Sequence, residues 1–353
     1  MTKFAEVQES RNGAADLLKG IAVLLMIQVH IMEQLAQPDL YNSILGKFSL
    51  FLGGPACAPV FMAVMGYFLA SSGKSMKGFI LRGLMLFAGG ILLNIGRSAN
   101  LLVQIYQGES DLNPLHFIFG ADILTLAGLS IMVIGMLRSL FRSFYLPYLL
   151  LGFAVAAASP FMTPSVIFAG YQQYLNAFLT GGAEWSYFPL FPWIAYILTG
   201  YSFRLFLSNV EWVKRIDIKE HFYLAVPLWL VILFTLPWAS TVTSDLAGSG
   251  GYYHHGILFF LWTLIFMISY LIVILLVESE LGEHKITLAI KWLGAQVTIV
   301  YIVQWLIIGN VASVLYRSQH LFQVASWFPV IAIASLLIGF MYLRIKSTLF
   351  RKS

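Results

Sequence analysis

The sequence predicts an all-α, polytopic membrane bundle of about ten transmembrane helices with both termini cytoplasmic, and three observations predict it. Of 353 residues, 59% are hydrophobic and only 10% charged, against roughly 25% charged in a soluble domain. Apolar stretches long enough to cross a bilayer recur along the whole chain, separated by short polar loops. Ten spans with cytoplasmic ends leave only Lys47, Arg97 and Arg317 of the 21 Lys and Arg on the outside. That asymmetry is the positive-inside rule, and one miscounted span would destroy it. The lipid bilayer is therefore the first partner the sequence implies.

The spans fall near residues 14–34, 48–70, 78–97, 119–138, 144–160, 187–206, 222–239, 254–277, 291–311 and 325–344. The first, within DLLKGIAVLLMIQVHIME (Asp16 to Glu33), is apolar except for a few positions that share a face. No small-residue cleavage site follows it, so it stays as a signal anchor. Gly53-Gly54-Pro55 predicts a kink or a broken helix in the second span, since proline removes a backbone donor and glycine adds no stiffness. The third carries Arg82 and Asn94 at its ends, and the fifth is short and ends in Ser159-Pro160. FPLFPW (Phe188 to Trp193) starts the sixth with a proline-stiffened aromatic turn. The glycine-rich loop DLAGSGGYYHHG (Asp245 to Gly256) delivers two histidines to the start of the eighth. No soluble domain, low-complexity run or repeat interrupts this pattern, so residues 1–353 read as a single integral-membrane domain.

On the first span, the step from Lys19 to His30 makes about three turns and a rise of roughly 16 Å. Asp16 lies about 40° and Glu33 about 60° off that line, which makes one polar stripe on an otherwise lipid-compatible helix. An ionisable group inside a span is costly and marks function, which singles out His30; an interhelical hydrogen bond is its plainer reading. Topology alone would select a lysine at the position of Lys19, and Asp16 also fits as a helix cap or an i, i+3 partner. With the chain oriented, Glu33, Asn94, Arg97, His116, Asp122, His254, His255 and Asn310 gather in the outer half with His30, as candidates for a polar chamber. Asp122 is the expected partner of His30, because a carboxylate fixes a histidine tautomer and stabilises its charged form. His254 and His255 are adjacent and no HxxxH or HExxH spacing occurs, so no metal is expected. The lone Cys57 excludes an intrachain disulfide and reads as packing. The net charge of +5 collects at one membrane face, which argues against nucleic acid as a partner.

A lysine, ten residues and a histidine in a first span, preceded by the acid of D-L-L-K-G, resembles the transmembrane acyltransferase superfamily. That superfamily includes the acyltransferase-3 proteins and the heparan-alpha-glucosaminide N-acetyltransferase family, and the chain is most similar to bacterial relatives of the latter. GGPACAPVFMAVMGYFL (Gly53 to Leu69), FGADILTLAGL around Asp122, FPLFPWIAYILTGY (Phe188 to Tyr201), HHGILFFLW (His254 to Trp262) and LGAQVTIVYIVQWLII (Leu293 to Ile308) extend the similarity over most of the chain.

The resemblance implies an acyltransferase that moves an acetyl or other acyl group from cytosolic acetyl-CoA (acyl-CoA) to a hydroxyl or amine of a saccharide or glycoconjugate across the membrane. It implies a multi-pass protein of the bacterial cytoplasmic (inner) membrane, and a homodimer is compatible with it. His30 would be the base or transient acyl carrier, oriented by Asp122. Lys19 and Arg11, with Asp16 beside them, would meet the CoA phosphates. An extended pantetheine arm spans on the order of 15–20 Å by ordinary bond lengths, comparable with the rise from Lys19 to His30. The chain departs from many acyltransferase-3 relatives at Gln304, where those carry a late-span histidine. The rival class is a proton-coupled secondary transporter of a small solute or glycoconjugate. It calls for an acid near the bilayer centre, whereas the acids here sit at span ends. A haem anchor would need axial histidines at equal depth, for which His30, His116 and His254 are the candidates.

Overall fold

The computed structural model describes residues 3–162, 170–210, 222–245 and 251–350. Among them the chain is helical, and its β-type pairing is limited to isolated bridges, Ala36 with Gln319 and Ala121 with Ser186. Among the described residues ten helices are long and apolar enough to cross a membrane: Gly13–Leu35, Ile44–Ala70, Met76–Arg97, Ile123–Phe141, Tyr145–Met162, Leu190–Asn209, Val226–Ser244, Ile257–Leu281, Val297–Leu315 and Leu321–Ile345. They answer one for one to the ten spans expected from hydropathy.

The second span is broken where the glycines and proline predict. Ile44–Gly53 ends in a turn over residues 54–57, and Ala58–Ala70 resumes the crossing. Pro189 caps the sixth span, as the FPLFPW reading required. Three boundaries differ. Pro160 lies inside the fifth helix rather than ending it. The eighth helix begins at Ile257, so His254 and His255 precede it, His254 on a 3-10 turn and His255 in extended backbone. The segment expected to open the ninth span is a separate helix, Lys285–Ala295, which stops at Gln296, whose amide bonds the carbonyls of Trp292 and Leu293.

The described chain packs as two compact units. The first comprises Met1–Cys57, Gly96–Ser110 and Val273–Ser353, and the second Ala58–Ile95 and Asp111–Ile272. Each is assembled from segments distant in sequence, which is why no linker or composition shift announces either.

In the first unit, the first span packs against the helix Lys285–Ala295, against Ile44–Gly53 and against the ninth and tenth spans. Glycines set the closest approaches. Gly20 lies against the carbonyl of Ile290, Gly294 against the carbonyl of Asp16, and Gly53 against the Val29 side chain. Lipid gives helices no hydrophobic incentive to associate, so small residues that let backbones touch supply the contact. At the other end of the span a backbone clasp holds the chain. The Arg317 amide donates to Gln34 O (3.0 Å), Gln319 N to Leu35 O (2.8 Å) and Gln37 N to Gln319 O (3.0 Å).

In the second unit, Ala58–Ala70 crosses the sixth span through a reciprocal glycine pair. Gly66 meets the Ile197 carbonyl, and Gly200 meets the Ala63 carbonyl. The sixth span also packs on the fifth and fourth, and Trp193, Tyr196 and Tyr201 are buried along it.

Candidate active site on the first span

The polar stripe begins with an ion pair. Lys19 Nζ lies 2.6 Å from Asp16 Oδ1, with the lysine side chain 18% exposed and the aspartate 34%. One turn earlier, Gly13 lies against the carboxylate of Glu278, which is itself paired with Lys291 at 3.0 Å. Lys291 belongs to the helix that the Gly20 and Gly294 contacts seat on the first span. The same packing that fixes this helix thus gathers two ion pairs at one end of the span. Arg11 is on the first helix; its side chain lies outside the described residues.

Three turns on, half-buried His30 rests on Trp305, with ring centroids 4.1 Å apart and planes inclined by 36°. The Arg97 guanidinium carbon lies 4.6 Å from the centroid of the same indole. A cation over a tryptophan contributes about 0.5–2 kcal/mol, rising as water is excluded, and Arg97 is half-buried. The backbone holds this arginine in place. Gly309 lies against the Arg97 carbonyl; Asn310 Nδ2 donates to Gly96 O at 2.9 Å, and Asn310 Oδ1 accepts from the Asn100 amide at 2.9 Å. Asn310, expected as a chamber residue, therefore has both ends of its amide bonded to the turn that presents Arg97.

One turn beyond His30, the carboxylate of Glu33 feels the charge of Arg317. That guanidinium sits 5.1 Å over Tyr41 and 5.4 Å over Tyr316. The Tyr41 hydroxyl is pushed up to about 12, first by burial and then by the Glu33 charge, with Arg317 pulling the other way. Trp305, Arg317 and Tyr41 were not singled out from the sequence. A tryptophan beside a glutamine in the middle of a span was the available signal for the first; an arginine in a short loop carries none.

Other expected chamber residues lie in the second unit. Asp122 caps the fourth span: its carboxylate accepts from the Ile123 amide at 2.6 Å, and Thr125 Oγ1 accepts from the Asp122 amide at 3.0 Å, a capping box. Asn94 is fully buried and ties down the loop before it, donating to Gly120 O (2.8 Å) and Ile118 O (3.1 Å). His116 stacks on Trp185, with centroids 3.6 Å apart and planes 11° from parallel. Among the described residues no group of three or more His, Cys, Asp or Glu is placed to hold a metal ion. Cys57 Sγ, back in the first unit, donates to Ala22 O at 3.4 Å.

Residues 11–234, well over half the chain, match the family model described as heparan-alpha-glucosaminide N-acetyltransferase, catalytic. The chain belongs to this family. It is accordingly a multi-pass membrane acetyltransferase for glycan-type acceptors. No curated protein sequence matches it. The matched stretch contains Lys19, His30, Arg97 and Asp122 and ends before Trp305, which packing brings to His30 on the first span.

In this acetyltransferase His255 serves the fold. It is fully buried; Nδ1 lies 2.8 Å from the Tyr252 carbonyl and Nε2 lies 2.8 Å from the Tyr196 hydroxyl. A carbonyl only accepts, so Nδ1 carries the proton and neutral Nε2 accepts from Tyr196. His254 beside it lies against Gly181, which holds φ +85°. Burial lowers the affinity of both rings for a second proton. His255 is pushed down to about 4, with the Tyr252 hydrogen bond opposing burial and His254 reinforcing it. An unfolded histidine titrates near 6.5. Between those values the unfolded chain binds the extra proton and the folded chain does not. The contribution of neutral His255 is therefore complete above pH 6.5 and drains away as pH falls toward 4. Thermal unfolding in detergent should show about 2 kcal/mol lost between pH 7.5 and 5, and His255→Gln should flatten that slope. An unchanged slope in the variant refutes the assignment.

Proposed function

We propose that this acetyltransferase draws its acyl group, acetyl first, from acyl-CoA held at the cytoplasmic end of the first span. The group passes to a hydroxyl or amine of a saccharide or glycoconjugate at the extracytoplasmic side of a bacterial inner membrane. One observation carries the reading. Lys19 and His30 stand on one unbroken helix about three turns apart, and Trp305 holds the imidazole at 4.1 Å. The residue types suit the donor: an ammonium on Lys19 and, two turns earlier on the same helix, the guanidinium of Arg11, both matched to phosphate. When bound, acyl-CoA supplies an activated thioester carbon and a thiolate leaving group.

The chain supplies the rest. The His30 imidazole removes the proton of the acceptor O–H or N–H as the acceptor oxygen or nitrogen bonds to the acyl carbon. As the C–S bond breaks, the imidazolium returns that proton to the departing sulfur. In the two-step variant, His30 nitrogen itself takes the acyl group and the ring proton goes to sulfur. The acceptor then displaces the imidazole and leaves its proton on the ring. Either way negative charge grows on the acyl oxygen, and the Arg97 cation on the same indole favours it.

The test is a titration of the purified, detergent-solubilised protein with acetyl-CoA, read by calorimetry and by release of free thiol. Wild type should bind and release thiol, faster with a glycan acceptor present. Lys19→Ala should bind about tenfold more weakly, equivalent to about 1.4 kcal/mol, with thiol release at saturation little changed. A wild type that neither binds acetyl-CoA nor releases thiol overturns the donor assignment.

A further inference from the structure

The ninth span carries an amide that nothing so far accounts for. Gln304 is 0% exposed, and neither its Oε1 nor its Nε2 has a hydrogen-bond partner among the described residues. The next residue, Trp305, also buries an indole Nε1 without a partner there. Leaving a buried donor or acceptor unmade is unfavourable by about 1–3 kcal/mol. Three such atoms on consecutive residues are therefore a substantial local cost, at the tryptophan that holds His30. The buried residues of this helix include Tyr301, Gln304, Trp305 and Ile308, an i, i+3, i+4, i+7 set on one face. Gln304 lies about 100° round the helix from Trp305, so the amide is part of the same buried face as the His30 contact rather than of a lipid-facing side.

A carboxamide carries both a donor and an acceptor, so it can bond either polar end of a trans secondary amide, whose N–H and C=O point in opposite directions. The donor assigned above contains such a group next to its reactive end. Two methylenes separate the thioester sulfur from an amide nitrogen, about 4 Å by bond lengths. We propose that Gln304 binds this amide of the donor's pantetheine arm through one hydrogen bond, Nε2–H donating to its carbonyl oxygen, and so fixes the thioester at His30. The inference rests on the acyl-CoA reading of the site. It explains why the orphaned amide sits one residue from Trp305, and it gives Gln304 a binding role that its apolar neighbours cannot fill.

The experiment compares wild type and Gln304→Leu for binding of acetyl-CoA and of adenosine 3′,5′-bisphosphate, which keeps two of the donor's three phosphates and lacks the arm. Leucine fills a similar volume without polar atoms, so thermal stability should hold or rise. Acetyl-CoA affinity should fall 10- to 100-fold, while the bisphosphate binds both proteins equally. Gln304→Asn, which keeps the carboxamide on a shorter stem, should recover part of the loss. Equal acetyl-CoA affinity in wild type and Gln304→Leu overturns this inference and leaves the donor assignment standing. Equal losses for both ligands, or a loss confined to the KM of the glycan acceptor, overturn it too. A wild type that binds the bisphosphate but shows no added affinity for acetyl-CoA removes the arm site. One that binds neither overturns the donor assignment itself.

Discussion

His30→Ala should reduce thiol release from acetyl-CoA by at least about 10³-fold, within the range that positioned acid–base groups supply, while acetyl-CoA affinity stays within about threefold. The separation follows from the helix. The donor's phosphates are assigned to the Lys19 end and its arm to Gln304, so the imidazole contributes little to holding it. Alanine at position 30 also uncovers one face of Trp305, and the indole could then drift and carry Arg97 with it. His30→Gln is the control, because it keeps polar bulk against the indole and removes only the basic nitrogen. Comparable loss in both variants assigns the effect to chemistry. Recovery of activity in His30→Gln would make His30 a packing residue and sink the mechanism. The wild type then separates the two routes. Without acceptor, a burst of thiol stoichiometric with enzyme marks an acyl carrier, and its absence marks a base.

The sequence disclosed what depends on local composition. Ten apolar runs gave ten spans, because bilayer thickness imposes a length that hydropathy can read. The glycine–proline break was equally visible, since its cause is covalent. What stayed hidden was which span touches which. In lipid every face of a helix is apolar, so the pattern that identifies a buried face in a soluble protein fades. Trp305 lies 275 positions after His30 in the chain, and nothing in either segment announces the other. Polar residues are legible in the sequence, but the backbone groups that their side chains bond are not. Asn310 was grouped with the chamber because it is an amide near a span end, yet both ends of that amide go to backbone around Gly96–Asn100. Asp122 stood out as a possible histidine partner, and its carboxylate caps the helix it begins. Hydropathy places the start of the ninth span too early, because a short helix lying on another helix has the same composition as a transmembrane end. The stop at Gln296 and the glycine contacts of Gly20 and Gly294 distinguish them.

Those contacts give the second large effect. Gly294→Ala should destabilise the protein by about 3 kcal/mol, the upper part of the usual overpacking range, because the new methyl would meet backbone. An ideal Cβ there runs into the Asp16 carbonyl and lies 2.7 Å from the Gly20 amide nitrogen. A flexible side chain could rotate aside; a carbonyl inside a helix cannot, so the helix Lys285–Ala295 must back away from the first span. Gly20 faces the Ile290 carbonyl across the same crossing. Once one substitution has opened the gap, the other has less to displace, so Gly20→Ala and Gly294→Ala should combine to less than their sum. Gly89→Ala is the contrast: no atom lies within 4 Å of its Cβ position, and thermal unfolding should be unchanged or slightly raised. The displaced wall is the one behind Asp16 and Lys19. Gly294→Ala should therefore weaken acetyl-CoA binding as well as stability, whereas an equally destabilising change at Gly200 in the second unit should lower the melting temperature with less loss of donor affinity per degree. If Gly294→Ala melts with wild type, the helix is not seated on the first span as described, and the ion-paired donor end loses its scaffold.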